Sequence, residues 1–461
     1  MKKIMNRLKC GLPSSTATEA KILIFSTSSR RLLSNLINST GTGTGGRAGR
    51  SKKLISKDDF RIVGLQVYQV DLPLKEGVYR WAGGKSISVF DSTVVKLLTN
   101  DKNICGYGEQ TPLGSAYLPA HALGTRAGLQ EIAKYLIGQN PCNIGNINNV
   151  MDKVLKGHNH VKSGIDMACY DILGKVSGLS VCDLLGGRVY GDLEGVGESS
   201  LPLYRAISQD TPENMVSRVK EYLAEGYNLF QLKVGGDYYE DIERIKAVRA
   251  FLDEAVAKHH LRKKPIPLFC DANTGWQVHE AIRVIRGLSG SAVTSQSGLI
   301  NNIFIEQPCL TYDECIEVKK FSPFPLILDE SIDDLSVLIR AISERSADGI
   351  NLKISKVGGL TKARLMRDVA VSANIPMIIE DTWGGDIVTA SITHLAASTP
   401  SRNIFCCTDF NSYGNVDIAE TDAKRVVKED GTSVLNAPKD PGLGVRPLKD
   451  VLKKPVFELF E

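Results

Sequence analysis

Five charged side chains in the middle of the chain each follow directly on a short apolar run: Lys233, Asp271, Glu306, Asp329 and Lys353. The three carboxylates offer only oxygen ligands, a set that suits Mg²⁺ better than zinc or copper. The two lysines are candidate general bases. Residues of these types, brought together, would support removal of a proton from a carbon next to a substrate carboxylate.

This chemistry needs both the metal ion and a base. A metal held by the carboxylates would bind a substrate carboxylate and stabilise the enolate formed when the α-proton leaves. A free lysine has a pKa of ~10.4. A nearby metal ion, a second lysine and burial should each lower the lysine pKa, towards the ~7–8 that suits a general base.

The segments between these five residues have the period of amphipathic helices, as in 241–257, 279–288 and 333–343. Short apolar strands alternating with helices predict βα units and a parallel sheet. In a (β/α) TIM-like barrel, the carboxyl ends of the strands meet at one mouth. A single charge at a strand end is usually a helix cap or a surface group, but five in succession favour a shared site. We therefore predict an α/β fold with a modified barrel.

A different pattern precedes the barrel. Strands are predicted at 61–72, 86–98 and 105–109, followed by helices at 130–156 and 164–185, which together indicate an α+β domain. The predicted division of the chain is a leader at 1–57, the α+β domain at 58–190, the barrel at 191–426 and a C-terminal segment at 427–461 that returns to the first domain.

The first 57 residues hold 7 Lys and 5 Arg against a single acid, Glu19, whereas the rest of the chain has 44 basic and 51 acidic residues. This composition is typical of a mitochondrial transit peptide, the alternative being a disordered tail on a cytoplasmic protein. The mildly acidic body argues against a nucleic-acid partner. No apolar run is long enough to cross a membrane, and the ten scattered cysteines fit a reduced compartment.

The order Lys, Asp, Glu, Asp, Lys at consecutive strand ends resembles the enolase superfamily, in its muconate-lactonising-enzyme-like branch. The stretches 106–109 and 166–175 add to the resemblance, which covers roughly residues 60–455. It implies that the α+β domain caps the barrel. It also implies that the three acids bind Mg²⁺ and that the two lysines flank the substrate as bases. Two positions depart from the family: Gln231 replaces the first lysine of a Lys-x-Lys motif, and Glu380-Asp381 stand where the mandelate-racemase branch has a histidine.

The stretch from Trp383 to Asp386, with a loop carrying Tyr79 and Trp81, is similar to the subgroup that acts on proline derivatives. That subgroup includes cis-3-hydroxy-L-proline dehydratases and proline-betaine epimerases. It implies a small amino-acid substrate whose cationic nitrogen needs compensation. Aromatic faces and a carboxylate supply this through cation–π and ionic contacts, so we expect Tyr79, Trp81, Trp383 and Asp386 to bind the substrate.

The resemblance implies a hydro-lyase that converts cis-3-hydroxy-L-proline to pyrroline-2-carboxylate. The alternatives are an isomerase that racemises or epimerises proline or its betaine, or a dehydratase of another acid. A binding protein without activity is disfavoured because all five charged groups are present. We also expect a homo-oligomer.

Overall fold

The computed structural model describes residues 56–189, 200–259, 266–289 and 302–461. The described residues all belong to one compact unit that begins at Ile55. The predicted leader lies outside the described residues, except for Ser56 and Lys57.

The α+β part contains the strands and helices β1 (Ile62–Pro73), β2 (Tyr79–Trp81), β3 (Lys85–Ile87), β4 (Val89–Thr99), β5 (Cys105–Gln110), α1 (Ala122–Leu136), α2 (Ile144–Val154), α3 (Asn159–Ser177) and α4 (Val181–Leu184). Strands β1, β4 and β5 are antiparallel neighbours, and β2 pairs with β3 in a separate hairpin. The helix predicted at 130–156 is in fact two helices. Gly138 between them has a φ of 80°, and Pro141 follows. A left-handed residue and a proline both interrupt a helix.

Two glycines on β5 explain how closely α3 packs on the sheet. A Cβ atom at Gly106 would lie 2.0 Å from the carbonyl oxygen of Ala168, and one at Gly108 would lie 1.9 Å from that of Gly164. Only glycine allows this approach. The stretch 106–109 therefore allows α3 to pack closely on the sheet, and it ends at the buried Glu109.

The barrel is an eight-stranded parallel sheet. After β6 (Ser200–Pro202), its strands are β7 (Arg205–Ile207), β8 (Phe230–Lys233), β9 (Leu268–Asp271), β10 (Ile303–Glu306), β11 (Leu326–Leu328), β12 (Gly349–Lys353), β13 (Met377–Glu380) and β14 (Ile404–Cys407). A parallel bridge joins Leu203, which lies two residues before the first strand β7, to Cys407 at the end of the last strand β14. Every residue of β8, β9, β12 and β13 is buried, as expected for strands covered on both faces. The predicted fold class is confirmed.

The barrel helices are α5 (Pro212–Ala224), α6 (Tyr238–His259), α7 (Val278–Ser289), α8 (Tyr312–Lys319), α9 (Leu335–Glu344), α10 (Ile354–Val357), α11 (Leu360–Ser372) and α12 (Asp386–Ala397). Local sequence explains where several of them begin. Thr311 and Glu314 form a capping box at α8, and Asp334 accepts two backbone N–H bonds at the start of α9. Such caps satisfy N–H groups that have no partner within the helix.

The chain after β14 contains β15 (Ala419–Thr421), β16 (Arg425–Val427), β17 (Ser433–Asn436), β18 (Val445–Pro447), α13 (Lys449–Leu452) and β19 (Phe457–Phe460). Strand β17 pairs with β6, and β19 adds an antiparallel edge to β1. The end of the chain thus completes the sheet with which the α+β part begins. In the described part of the chain, no helix combines the length and apolar character needed to cross a membrane.

Candidate active site

The five charged residues lie at the carboxyl ends of successive barrel strands. Lys233, Asp271, Glu306 and Lys353 are the last residues of their strands, and Asp329 directly follows β11. Strand register pairs Lys233 with Asp271 and Asp271 with Glu306, so these side chains start from one level of the barrel. The sequence pattern therefore placed all five at the mouth, as barrel geometry requires.

Asp271, Glu306 and Asp329 form a buried carboxylate cluster in which one oxygen from each lies within 4.8 Å of the others. Two amides steady the central member: Gln231 donates to one Glu306 oxygen at 2.9 Å and Asn351 to the other at 2.8 Å. At the position where the family usually has a lysine, the uncharged amide of Gln231 thus donates a hydrogen bond to a carboxylate of the cluster. The cluster has the ligand chemistry of a divalent metal site.

The two lysines stand on opposite sides of this cluster. Lys233 is on the second strand of the barrel and Lys353 on the sixth of eight, so they face each other across the mouth. The Lys233 Nζ lies 2.5 Å from Asp271, and the Lys353 Nζ lies 2.6 Å from Asp329. A third lysine, Lys356, also contacts Asp329, at 2.8 Å.

The pKa values of these groups reflect opposing effects. Burial is the largest single influence on the pKa of Lys233 and works to lower it, but Asp271 and the other neighbouring groups together outweigh burial and raise the pKa above its ordinary value. Asp329 and its neighbours likewise outweigh burial and raise the pKa of Lys353. Burial, followed by the charges of Asp271 and Asp329, raises the pKa of Glu306 well above its ordinary value. The lowered lysine pKa expected from the sequence is therefore not produced by these protein groups alone, because the carboxylate charge dominates.

Three of the four predicted substrate-binding residues line the cavity above the lysines. The β2–β3 hairpin brings Tyr79 and Trp81 there, and Trp383 enters from the loop after β13. The Trp383 ring stacks on Phe90 at 4.1 Å between ring centroids and lies 5.1 Å from Tyr79. Trp383 is therefore both packed and in contact with the cavity.

The structure does not bring Asp386 into this cavity. Its carboxylate is buried at the start of α12 and accepts the N–H groups of Ile418 at 2.7 Å and Ala419 at 3.0 Å. The Asn411 side chain donates to its other oxygen at 3.0 Å. These bonds tie α12 to the chain just before and at the start of β15. Two acidic residues near Trp383 do line the cavity, Glu380 and Asp381. The Asp381 carboxylate accepts the backbone N–H groups of Ser355 at 3.1 Å and Thr382 at 2.7 Å.

Glu380 is a site residue that sequence reasoning did not select. It is the last residue of β13, it is buried, and one of its oxygens lies 3.3 Å from the Lys353 Nζ. Asn351 donates to that oxygen at 2.6 Å, and the Tyr204 hydroxyl donates to the other. The signal was present, because Glu380 closes the apolar run Met377–Ile379 just as the five selected residues close theirs.

Tyr117 was also missed. It comes from the irregular segment between β5 and α1, and its hydroxyl contacts both Lys353 and Asp329. No periodic pattern marks this residue in the sequence.

Comparisons with known proteins agree with this geometry. Residues 214–451 match the family described as enolase C-terminal domain-like. Residues 86–186 match the mandelate racemase/muconate lactonizing enzyme N-terminal domain. The chain belongs to the mandelate racemase/muconate lactonizing enzyme family of the enolase superfamily.

Several individual relatives cover most of the chain. It is 52% identical over 397 residues to the cis-3-hydroxy-L-proline dehydratase of Roseibium aggregatum, covering 86% of this chain and 99% of that one. It is 28% identical to the N-succinyl-L-Arg/Lys racemase of Bacillus cereus, covering 74% and 85%. The crystal structure of an enolase-superfamily member from Roseovarius nubinhibens, complexed with magnesium, superposes with a TM-score of 0.73 at 35% identity, covering 87% and 100%.

Proposed function

We propose that this protein is a Mg²⁺-dependent hydro-lyase that converts cis-3-hydroxy-L-proline to pyrroline-2-carboxylate. The observation that carries the proposal is the placement of Lys233 and Lys353 on opposite sides of one cavity, next to a buried carboxylate cluster. The 52% identity to a cis-3-hydroxy-L-proline dehydratase favours dehydration over the other reactions of the family.

The residues present fit a divalent cation. In addition to the three cluster carboxylates, two buried side-chain oxygens have no hydrogen-bond partner within the described residues. They are one carboxylate oxygen of Glu330 and the side-chain amide oxygen of Asn273. Such an excess of buried acceptors is costly without a cation. When bound, Mg²⁺ would take the substrate carboxylate and stabilise the negative charge that develops as the α-proton leaves.

Glu380 and the aromatic residues would orient the rest of the substrate. The substrate nitrogen is cationic, and the Glu380 carboxylate lines the cavity beside Trp383 and Tyr79. A carboxylate and an aromatic face together stabilise a desolvated cation through ionic and cation–π contacts. We assign to Glu380 the role that the sequence suggested for Asp386.

The two lysines account for the proton transfers. In cis-3-hydroxy-L-proline the hydroxyl and the carboxylate share one face of the ring, so the α-hydrogen lies on the face opposite the hydroxyl. One lysine amine takes the α-proton, and the electron pair forms the double bond between the α-carbon and C3. The C3–O bond breaks, and the opposite lysine, as an ammonium, gives the departing hydroxide a proton to form water. The resulting enamine tautomerises to pyrroline-2-carboxylate.

The same pair of lysines could return a proton to the other face, which is the epimerase alternative. A single set of incubations in deuterated water separates the two reactions, with L-proline, its betaine and cis-3-hydroxy-L-proline as substrates. We expect a pyrroline product from the hydroxylated compound. Inversion of proline or its betaine, with no water lost from the hydroxylated compound, would establish the isomerase instead. Failure to act on any of the three, even to exchange an α-hydrogen, would exclude both.

A further inference from the structure

Tyr117 reaches into the barrel mouth from the α+β domain. The Lys353 ammonium donates a hydrogen bond to its hydroxyl, which in turn donates to Asp329 at 3.1 Å. The same ammonium lies 4.9 Å from the centre of the Tyr117 ring. The tyrosine therefore contacts one of the two opposed lysines with both its hydroxyl and its ring.

The other lysine is held differently. Within the described residues, the Lys233 ammonium has a single hydrogen-bonded partner, Asp271, which belongs to the carboxylate cluster. Lys353 has Asp329 and Glu380 as charged neighbours and Tyr117 as a neutral one. The two sides of the cavity are thus built unequally.

We infer that Tyr117 is a positioning residue that holds the Lys353 amine on its face of the substrate. This inference rests on the proposed function, in which the two lysines act from opposite sides. If Asp329 binds a cation and Glu380 faces the substrate nitrogen, each of the two charged neighbours of Lys353 also interacts with a second positive charge. Tyr117 is then the neutral neighbour that still accepts a hydrogen bond from Lys353.

The physical reason lies in the lysine side chain. Its four-carbon stem is flexible, and an amine that must meet a single hydrogen or oxygen atom loses effectiveness when it samples other positions. A hydroxyl fixed by the α+β domain restricts that sampling without adding charge. A hydrogen bond to a charged group contributes enough that losing it should slow the Lys353-dependent step by about 10- to 100-fold.

The experiment compares Tyr117→Phe with the two lysine variants in two reactions. These are exchange of the α-hydrogen of L-proline with deuterated water, and loss of water from cis-3-hydroxy-L-proline. Elimination needs both lysines, whereas exchange needs only the lysine that faces the hydrogen. Lys233→Ala and Lys353→Ala should therefore both lose elimination, and one of them should keep exchange.

Tyr117→Phe should lower the same reaction rates as Lys353→Ala, but by a smaller factor. If Lys353→Ala keeps exchange, Tyr117→Phe should lower elimination by about 10- to 100-fold and leave exchange within about threefold of wild type. If Lys353→Ala loses exchange, both rates should fall in Tyr117→Phe. The matched control is Tyr107→Phe, because Tyr107 belongs to the same domain and its ring lies 5.5 Å from another lysine, Lys175, outside the cavity. It should leave both rates unchanged.

Mg²⁺ affinity, measured by calorimetry, separates this role from an effect on Asp329. We expect the dissociation constant of Tyr117→Phe to rise by less than about 10-fold, because Asp329 loses only its 3.1 Å hydrogen bond from Tyr117 and keeps its contacts with Lys353 and Lys356. A rise of about 10-fold or more, the effect of losing a group that supports a metal ligand, would assign Tyr117 to the carboxylate cluster and overturn the inference. Wild-type rates, or a pattern that follows Lys233→Ala, would also overturn it. If both lysine variants kept full turnover, the proposed function itself would fail, and the inference with it.

Discussion

One oxygen of Glu109, on β5 of the α+β domain, accepts the backbone N–H of Gly385 in the barrel at 2.7 Å. The other oxygen accepts the N–H of Val388 at 3.0 Å, and Ser92 donates to the first at 2.8 Å. Glu109 thereby caps α12, the helix that begins just after Trp383. A carboxylate here also interacts favourably with the positive end of the helix dipole. The domain that carries Tyr79 is thus fastened to the loop that carries Trp383.

Glu109→Gln should weaken this attachment. The amide NH₂ group cannot accept an N–H bond, so one buried donor loses its partner, at a cost of about 1–3 kcal/mol in the free energy of unfolding. Urea denaturation measures the loss. Glu131→Gln, at an exposed position with only a 3.9 Å ion pair to Lys134, should change the stability by less than about 0.5 kcal/mol. Equal effects of the two substitutions would contradict the capping role.

The positions at the barrel mouth could be predicted because a sequence feature and a geometric rule apply to the same residues. Apolar runs end at a charged residue, and the C-terminal ends of barrel strands share one mouth, so a linear pattern carries three-dimensional information. Glu380 obeyed the same rule and could have been found. Asp386 was expected to bind the substrate because the stretch from Trp383 to Asp386 is similar to the subgroup that acts on proline derivatives and supplies a carboxylate. Its partners Ile418 and Ala419 lie more than 30 residues further along the chain, where no local pattern reveals them.

Glu306→Gln tests the metal site without disturbing the fold. Burial, and then the charges of Asp271 and Asp329, raise the pKa of the Glu306 carboxyl. A neutral amide at this position relieves both the cost of burial and the repulsion from Asp271 and Asp329. The amide of Gln231 can turn to present its oxygen to the new NH₂ group. We expect the metal-free variant to unfold with a free energy equal to or above that of the wild type at pH 7.

Mg²⁺ affinity should fall in the same variant. Loss of a group that merely supports a ligand costs about 10- to 100-fold in metal affinity, so loss of the ligand itself should cost at least about 100-fold, with turnover lost as well. Calorimetry and activity assays measure the two effects. Full wild-type turnover in the presence of a strong chelator would end the metal hypothesis.

Glu380→Gln should weaken binding of a cationic substrate selectively. L-proline and tetrahydrofuran-2-carboxylate differ in whether the ring carries a cationic nitrogen or a neutral oxygen, and both can be measured as competitive inhibitors. We expect the inhibition constant for L-proline to rise about 10-fold, and that for the oxygen analogue less than about threefold, because only the first loses an ionic contact.

Asp386→Asn is the matched comparison, since both acids are buried close to Trp383 in the chain. It should lower stability, because the new NH₂ group cannot accept a hydrogen bond and leaves the donors at one of the two former oxygens without a partner, while the ratio of the two inhibition constants stays unchanged. If Asp386→Asn shifted that ratio and Glu380→Gln did not, the assignment of the substrate nitrogen to Glu380 would be wrong.

Irregular segments set the limit of sequence-based prediction. Tyr117 lies between a strand and a helix, and its place at Lys353 depends on how two domains pack. The break near Gly138 follows from local residues, but a periodic pattern on both sides concealed it. Hydrophobic period reports which face of an element is buried and does not report what a connecting segment touches.

We propose that residues 1–57 direct the protein to the mitochondrion and are dispensable for the fold of the enzyme. A segment with 7 Lys and 5 Arg against a single acid cannot form a packed core. A chain that begins at Lys57 should show the urea midpoint and turnover of the full chain. The 57 residues fused to a fluorescent protein should deliver it to mitochondria. A cytosolic fusion would refute the targeting role, and a shortened chain that fails to fold would refute dispensability.

His394 should make stability depend on pH in a defined direction. It lies on α12, where its Nδ1 accepts the Cys182 N–H at 3.1 Å, so Nε2 carries the proton and donates to the Leu443 carbonyl at 3.1 Å. The pKa of His394 is lowered from 6.5 to about 4, chiefly by burial. The bond to the Leu443 carbonyl and the charge of Asp183 oppose this shift, and Arg188 adds to it. A second proton would face the Cys182 N–H, which is a donor, so the geometry also favours the neutral ring.

Because the folded pKa lies below the unfolded value, the unfolded chain binds more protons between about pH 4 and 6.5. Stability from this group is therefore complete above pH 6.5 and is lost as the pH falls towards 4, by about 3 kcal/mol in total. The measurement is the difference in unfolding free energy between the wild type and His394→Gln across that range, which cancels contributions from other groups. The difference should shrink as the pH falls. His279→Gln, the same change at an exposed position, serves as the control for the substitution itself. A difference for His394→Gln that stayed constant with pH would show that its ring is not held neutral by the fold.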